Sequence, residues 1–129
     1  QLIAVSKGVS ADRLLTARAA GIDTFGENRV QEAEAKVVAV SGAAWHLVGH
    51  LQSNKARRAV ELFDAIESVD SIELATRLSA LALEHRGGRD LPIYLQVNVD
   101  RDPAKAGFDP ASLPGAVATI SALPGLELR

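Results

Sequence analysis

Leu2-Ile3-Ala4-Val5-Ser6-Lys7-Gly8 is a short apolar run that stops on a lysine and a glycine. That is the pattern of a buried strand delivering an amine to the end of a sheet. A helical pattern follows over residues 11–20, and the alternation then repeats. Further strand-like runs lie at residues 24–26, 45–49, 65–69 and 92–99, with another beginning at Leu126. Helix-like runs lie near residues 30–40, 54–63, 71–85 and 113–123. Repeated β-then-α order with short links predicts an α/β fold, a parallel sheet with helices on its faces. Two closures satisfy it, a (β/α)8 TIM-type barrel and an open doubly wound sheet. No G-x-G-x-x-G follows the first strand, and Ser6-Lys7-Gly8-Val9 is not a P-loop. A barrel takes about 250 residues. The chain, at 129 residues, corresponds to roughly the first half to two thirds of one.

The helix over residues 71–85 has the clearest pattern. Asp70 or Ser71 supplies a cap, Glu73 sits in the first turn, and Ile72, Ala75, Leu78 and Ala82 recur at helical spacing before Gly87-Gly88 ends it. Pro114 stands near the start of the last helix, where a missing N–H costs little.

Composition narrows the class. Apolar residues make up 47% of the chain, which suffices for one domain with a real core. A net charge of -2 gives no case for nucleic acid or a membrane surface as a general partner. The absence of cysteine excludes disulfides and thiolate metal sites and fits a cytoplasmic protein. No apolar stretch is long enough to span a bilayer. The chain enters an apolar run at Gln1 and closes on Gly125-Leu126-Glu127-Leu128-Arg129, the opening of another strand. Domains usually begin and end in exposed polar segments, so an excerpt of a longer protein is expected.

In a βα barrel, chemistry gathers at the C-terminal strand ends. Lys7 is placed there, and so is the polar cluster Gly26-Glu27-Asn28-Arg29. Strand alternation puts Tyr94, Gln96 and Asn98 on one face and Ile93, Leu95, Val97 and Val99 on the other. The aliphatic face would meet the helices, leaving Asn98 nearest the mouth. His46, Val48 and His50 likewise share a side, which brings His50 to the same mouth. Each has a structural alternative. Lys7 marks the end of a strand, Asn28 caps the second helix, and His50 braces the loop before Asn54. Gln96 and Asn98 satisfy interior hydrogen bonds, and Lys105 is a solvated loop residue. No zinc-ligand spacing links His46, His50 and His85.

Four blocks carry a family likeness: Ala4-Val5-Ser6-Lys7; Phe25-Gly26-Glu27-Asn28-Arg29-Val30-Gln31-Glu32; Trp45-His46-Leu47-Val48-Gly49-His50-Leu51-Gln52-Ser53-Asn54-Lys55; and Gln96-Val97-Asn98. In this order they resemble the pyridoxal phosphate (PLP) homeostasis protein family, PLP-binding barrels related to the N-terminal domain of alanine racemase. The resemblance implies a (β/α)8 barrel of the alanine racemase type in which Lys7 forms a Schiff base with PLP. It implies that residues 1–129 are a partial barrel, about strands one to six, without the N-terminal helix and the last strands that hold the PLP phosphate. It implies cytoplasmic carriage or buffering of PLP in vitamin B6 homeostasis, with PLP-dependent apoenzymes as acceptors. Lys105 aligns with a further family lysine. Val9 stands where the family often has a second lysine after the first.

A Schiff base needs a neutral amine, which burial at a barrel mouth favours. Lys7 follows an apolar strand, so partial desolvation is expected. Lys7, Asn28, His50 and Asn98 are therefore the expected cofactor-binding set, with Asn28 and Asn98 orienting the ring. The alternative function is a PLP-dependent amino-acid racemase-like enzyme. Racemisation needs acid–base groups on both faces of the substrate, and the one tyrosine, Tyr94, sits mid-strand. An aldolase-like Schiff-base enzyme on the same barrel accounts for Lys7 but not for the ordered blocks.

Overall fold

A computed structural model describes residues 1–129. The strands are β1 (Ala4–Val5), β2 (Thr24–Glu27), β3 (Ala44–Leu47), β4 (Ala65–Val69), β5 (Leu91–Leu95) and β6 (Leu126–Leu128). The helices are α1 (Ala11–Ala19), α2 (Val30–Ala39), α3 (Ala56–Leu62, preceded by a 3-10 turn at Ser53–Lys55), α4 (Ile72–His85) and α5 (Leu113–Ser121). All adjacent strands are parallel and stand in the order β1-β2-β3-β4-β5-β6. Strictly sequential order decides between the two closures. A doubly wound sheet reverses its strand order at a switch point, whereas a barrel does not. From α2 onward each helix packs on the next, as helices do when they lie along one face.

Register explains which residues face those helices. Parallel pairing sets Phe25 beside Trp45, Leu47 beside Ile66, and Ile93 beside Ile66 and Leu128. Phe25, Trp45, Leu47, Ile66 and Ile93 are buried, with Val30, Ala33, Ala59, Val60, Leu74, Leu78 and Ile120 supplied by the helices. Phe25 and Trp45 stack at a tilt, ring centroids 5.3 Å apart, a cross-strand aromatic pair. The opposite face carries Val5, Gly26, His46, Glu67, Pro92 and Tyr94. No layer covers it, so Val5 and Tyr94 stay exposed.

Local signals hold where side chains act on their own backbone. The hydroxyl of Ser71, not Asp70, caps α4 by accepting from the Leu74 N–H at 3.2 Å. α1 ends in a Schellman motif, Ile22 N–H to Ala17 O and Gly21 N–H to Arg18 O, with Gly21 at φ 97°. The fifth strand is shorter than its alternation predicts. Beyond Gln96 its backbone turns to Phe108: Phe108 N–H donates to Gln96 O, Asn98 N–H donates to Phe108 O, and Val97 bridges Phe108. A returning loop thus takes the hydrogen bonds that a sheet neighbour would have held.

Candidate functional site

Lys7 sits in a tight turn directly after β1. The Val9 N–H donates to Ser6 O at 3.0 Å, so Lys7 and Gly8 are the two corner residues. Gly8 has φ 69°, while Lys7 keeps a negative φ. That sign pattern is the signature of a type II turn, and the second corner then wants glycine. The turn projects Lys7 at the C-terminal rim of the sheet, beside a cavity of about 450 Å³ lined by Lys7, Gly8, Asn28, Arg29 and Glu32. Lys7 is exposed, and its Nζ makes no ion pair or hydrogen bond within the protein. The expectation that an apolar strand would desolvate this lysine is therefore not met. The strand itself is not buried either, Ala4 being half-buried and Val5 exposed, because β1 is an edge strand with no layer over one face.

Asn28 follows β2 and shares that cavity. It does not cap α2: the N-cap position is Arg29, with no side-chain capping bond. The Asn28 side-chain amide has no hydrogen-bond partner in the protein and is half-buried, so its donors and acceptor face the rim. A second cavity of about 530 Å³ joins Asn28 to His50, Gln52 and Lys55. A third, of about 730 Å³, joins His50 to Gln96, Asn98 and Lys105. The structure thus strings Lys7, Asn28, His50 and Asn98 along one rim through overlapping cavities.

Two of these residues are already engaged. His50 does not brace the loop before Asn54. Its Nδ1 lies 3.1 Å from Asp70 Oδ2 at the end of β4, which leaves Nε2 as the free ring nitrogen. The Asn98 amide holds its own loop. Nδ2 donates to Asp102 O at 2.8 Å and to Lys105 O at 3.1 Å, and Oδ1 accepts from Asp102 N–H at 3.1 Å. One lone pair of Oδ1 remains, so Asn98 shapes the rim more than it offers groups to it. Gln96 does the same work, donating to Ala106 O at 3.0 Å. Lys105 is held by Asp100 at 2.9 Å rather than merely solvated.

Three further features of the sheet and its strand ends were not visible as such in the sequence. His46 Nδ1 meets Glu67 Oε1 at 2.6 Å on the open face of the sheet, a pair set by β3–β4 register. Gly49, at the end of β3, lies so close to Asn28 that an added Cβ would stand 2.3 Å from Asn28 O. The third is a buried ion pair on the helix side of the sheet. Glu27 is fully buried and meets Lys36 Nζ at 2.6 Å. Burial by itself would push the Glu27 carboxyl up. Hydrogen bonds from Lys36, the Asn28 N–H and Ser6, with the Lys36 charge, outweigh it and hold the group below its usual value. A sequence signal existed for this pair. Glu27 shares strand parity with buried Phe25, and Lys36 falls between Ala33 and Val40 on the buried stripe of α2.

Known proteins share this fold. The family model for "Alanine racemase, N-terminal domain" matches residues 1–129. The pyridoxal phosphate homeostasis protein of Pseudomonas aeruginosa is 41% identical over 132 residues, covering 99% of this chain and 56% of that protein. The protein of the same name from Escherichia coli K12 is 37% identical over 136 residues, again 99% and 56%. The chain thus spans a little over half the length of these relatives. Among solved structures, PipY of Synechococcus elongatus PCC7942 without PLP superimposes with a TM-score of 0.92 at 51% identity, covering all of this chain and 60% of that one. The structure of PipY with PLP bound gives 0.88 at 48%, with the same coverage. Alanine racemase of Clostridium difficile 630, at 11% identity and a TM-score of 0.80 over 98% of this chain and 34% of its own, shares the fold. With six sequential parallel strands and its lysine at the end of the first, the chain belongs to the alanine racemase N-terminal domain family, and along its length it is similar to pyridoxal phosphate homeostasis proteins.

Proposed function

We propose that this chain holds PLP through a Schiff base at Lys7 and carries or buffers the cofactor in the cytoplasm, as part of vitamin B6 homeostasis. The observation that carries this reading is a primary amine without an internal partner, projected from a turn at the C-terminal rim of the sheet. The residues present fit such a group. Lys7 borders a cavity of about 450 Å³, and Asn28 presents an unsatisfied amide to it. PLP supplies an aldehyde that condenses with primary amines and a ring that withdraws electrons. Lys7 would hold it, Asn28 and the free Nε2 of His50 would orient it, and Asn98 would keep the far rim in shape. Residues 1–129 are then part of a larger PLP-binding barrel domain. PLP-dependent apoenzymes are the proposed acceptors, their own lysines competing for the aldehyde.

The racemase-like alternative needs a second acid–base group facing Lys7. Tyr94 lies within β5, and the likeness to alanine racemase at 11% identity speaks to fold alone. The deciding experiment is a PLP titration followed by absorbance, borohydride trapping and peptide mass mapping. One pyridoxyl group on Lys7 is expected, lost in Lys7→Ala and retained in Lys105→Ala. A label on Lys55 or Lys105 with Lys7 unmodified would overturn the assignment.

A further inference from the structure

The residues flanking the rim lysine are held from behind the sheet by groups that never reach the rim. Ser6, the residue before Lys7, is fully buried. Its N–H donates to Gly26 O at 2.7 Å. Its Oγ lies 2.9 Å from Glu27 Oε2 and 3.0 Å from Gly26 O, and donates between them. Its carbonyl, the anchor of the turn that projects Lys7, also accepts from Lys36 Nζ at 2.7 Å. The same Nζ meets Glu27 Oε2 at 2.6 Å, and Glu27 Oε1 accepts from the Asn28 N–H at 2.7 Å. One carboxylate and one ammonium therefore tie together the end of β1, the end of β2 and the helix α2.

A buried ion pair is weak evidence for stability, because desolvation offsets most of the attraction, and an apolar pair of similar volume often serves as well. What an apolar pair cannot supply is a fixed direction for the Ser6 carbonyl and the Asn28 N–H. We propose that Glu27 and Lys36 are positioning residues for Lys7 and Asn28. They act through the backbone on the opposite side of the sheet, fixing the turn from which the amine departs and the strand end beside it. The inference rests on the reading that Lys7 is the cofactor-holding amine.

Removing one partner alone leaves a buried charge unpaired and threatens the fold itself. The informative variant is Glu27→Leu combined with Lys36→Met, which removes both charges and keeps the volume. Three readouts are taken on it and on the unmodified protein: urea unfolding, amide hydrogen exchange, and the distribution of borohydride-trapped PLP among the lysines. The unfolding midpoint is expected to stay close to that of the unmodified protein. Exchange at Ser6, Val9 and Asn28 is expected to rise about tenfold or more relative to Ile66 and Ile93, the scale of a lost hydrogen bond to a charged group. Trapping at Lys7 relative to Lys55 and Lys105 is expected to fall by a similar factor. A purely structural role predicts instead that exchange rises across the sheet together and the Lys7 share is unchanged, which would overturn the proposal. Unchanged exchange at Ser6, Val9 and Asn28 would overturn it equally. An unmodified protein that traps nothing at Lys7 would overturn the cofactor reading, and the positioning of that amine with it. The two failures are distinct, because only the second appears without any substitution.

Discussion

At the scale of single residues, the rim depends on a few backbone facts. Gly8 has φ 69° with open space where a Cβ would go, so Gly8→Ala meets conformational strain and no clash. A cost of about 1–2 kcal/mol in unfolding free energy is expected, the penalty of an L-residue in that region. The amine of Lys7 should remain available to small aldehydes in that variant, measured by reductive methylation. Glu27 sets an acid limit. Its folded pKa lies below the ordinary 4.5, so its contribution to stability is complete above that value. The contribution is lost as pH falls through the depressed folded value. Unfolding midpoints measured from pH 6 downward should fall in the unmodified protein, and fall less steeply in Glu27→Leu combined with Lys36→Met, which has no carboxyl to protonate there and no ammonium left unpaired. Equal slopes would mean that other carboxylates carry the acid sensitivity. Sequence reading recognised Lys7 and Asn28 as rim residues because position after a strand fixes them. It left Glu27 inside a polar cluster, because its partner lies in the next helix and only folding brings them together.

At the scale of elements, contacts at their ends decide how strands meet helices. Gly49 closes on the backbone of Asn28, and an added methyl has nowhere to go. Gly49→Ala is expected to cost about 1–3 kcal/mol by overpacking and to shift the β2 end, with weaker PLP binding as the functional sign. Thermal unfolding and PLP titration on one sample test both. The C-terminus of α3 is capped from α4. Arg86 donates to Val60 O at 3.1 Å and to Phe63 O at 2.9 Å. Burial, with the nearby Arg89 charge, pushes this guanidinium below its usual value despite Asp64. Arg86→Met leaves those carbonyls without their donor and should cost about 1–3 kcal/mol. It should leave PLP titration unchanged, since it lies far from the rim cavities. Helix bounds matched sequence expectation closely, because hydrophobic periodicity and terminal glycines act locally. The fifth strand did not, because its length is set by Phe108, a residue distant in sequence.

At the scale of the whole molecule, the sheet is open. β1 pairs only with β2, and β6 only with β5. Two parallel edges therefore offer unpaired backbone groups, and the face bearing Val5 and Tyr94 has no layer over it. The accessible surface is 7136 Å², against about 6,600 Å² expected for a compact monomer of this mass. Self-association of the 129-residue chain is the expected outcome, read as a weight-average mass that rises with concentration in sedimentation equilibrium. A monomer at all concentrations would show that the edges are protected in solution. No helix is long and apolar enough to cross a membrane.

The order of strands and helices along the chain, the parallel sheet, the helix bounds and the residues at strand ends were legible in the sequence. Each follows from periodicity or from a side chain acting on its own backbone. Strictly sequential strand order is what the family resemblance implied, and the tertiary structure bears it out. The tertiary structure alone decided that Lys7 is exposed and that Asn98 is consumed by its own loop. It alone joined Glu27 to Lys36 behind the sheet. These depend on register and on helix placement, which bring together groups far apart in the chain, and no local pattern encodes such distances.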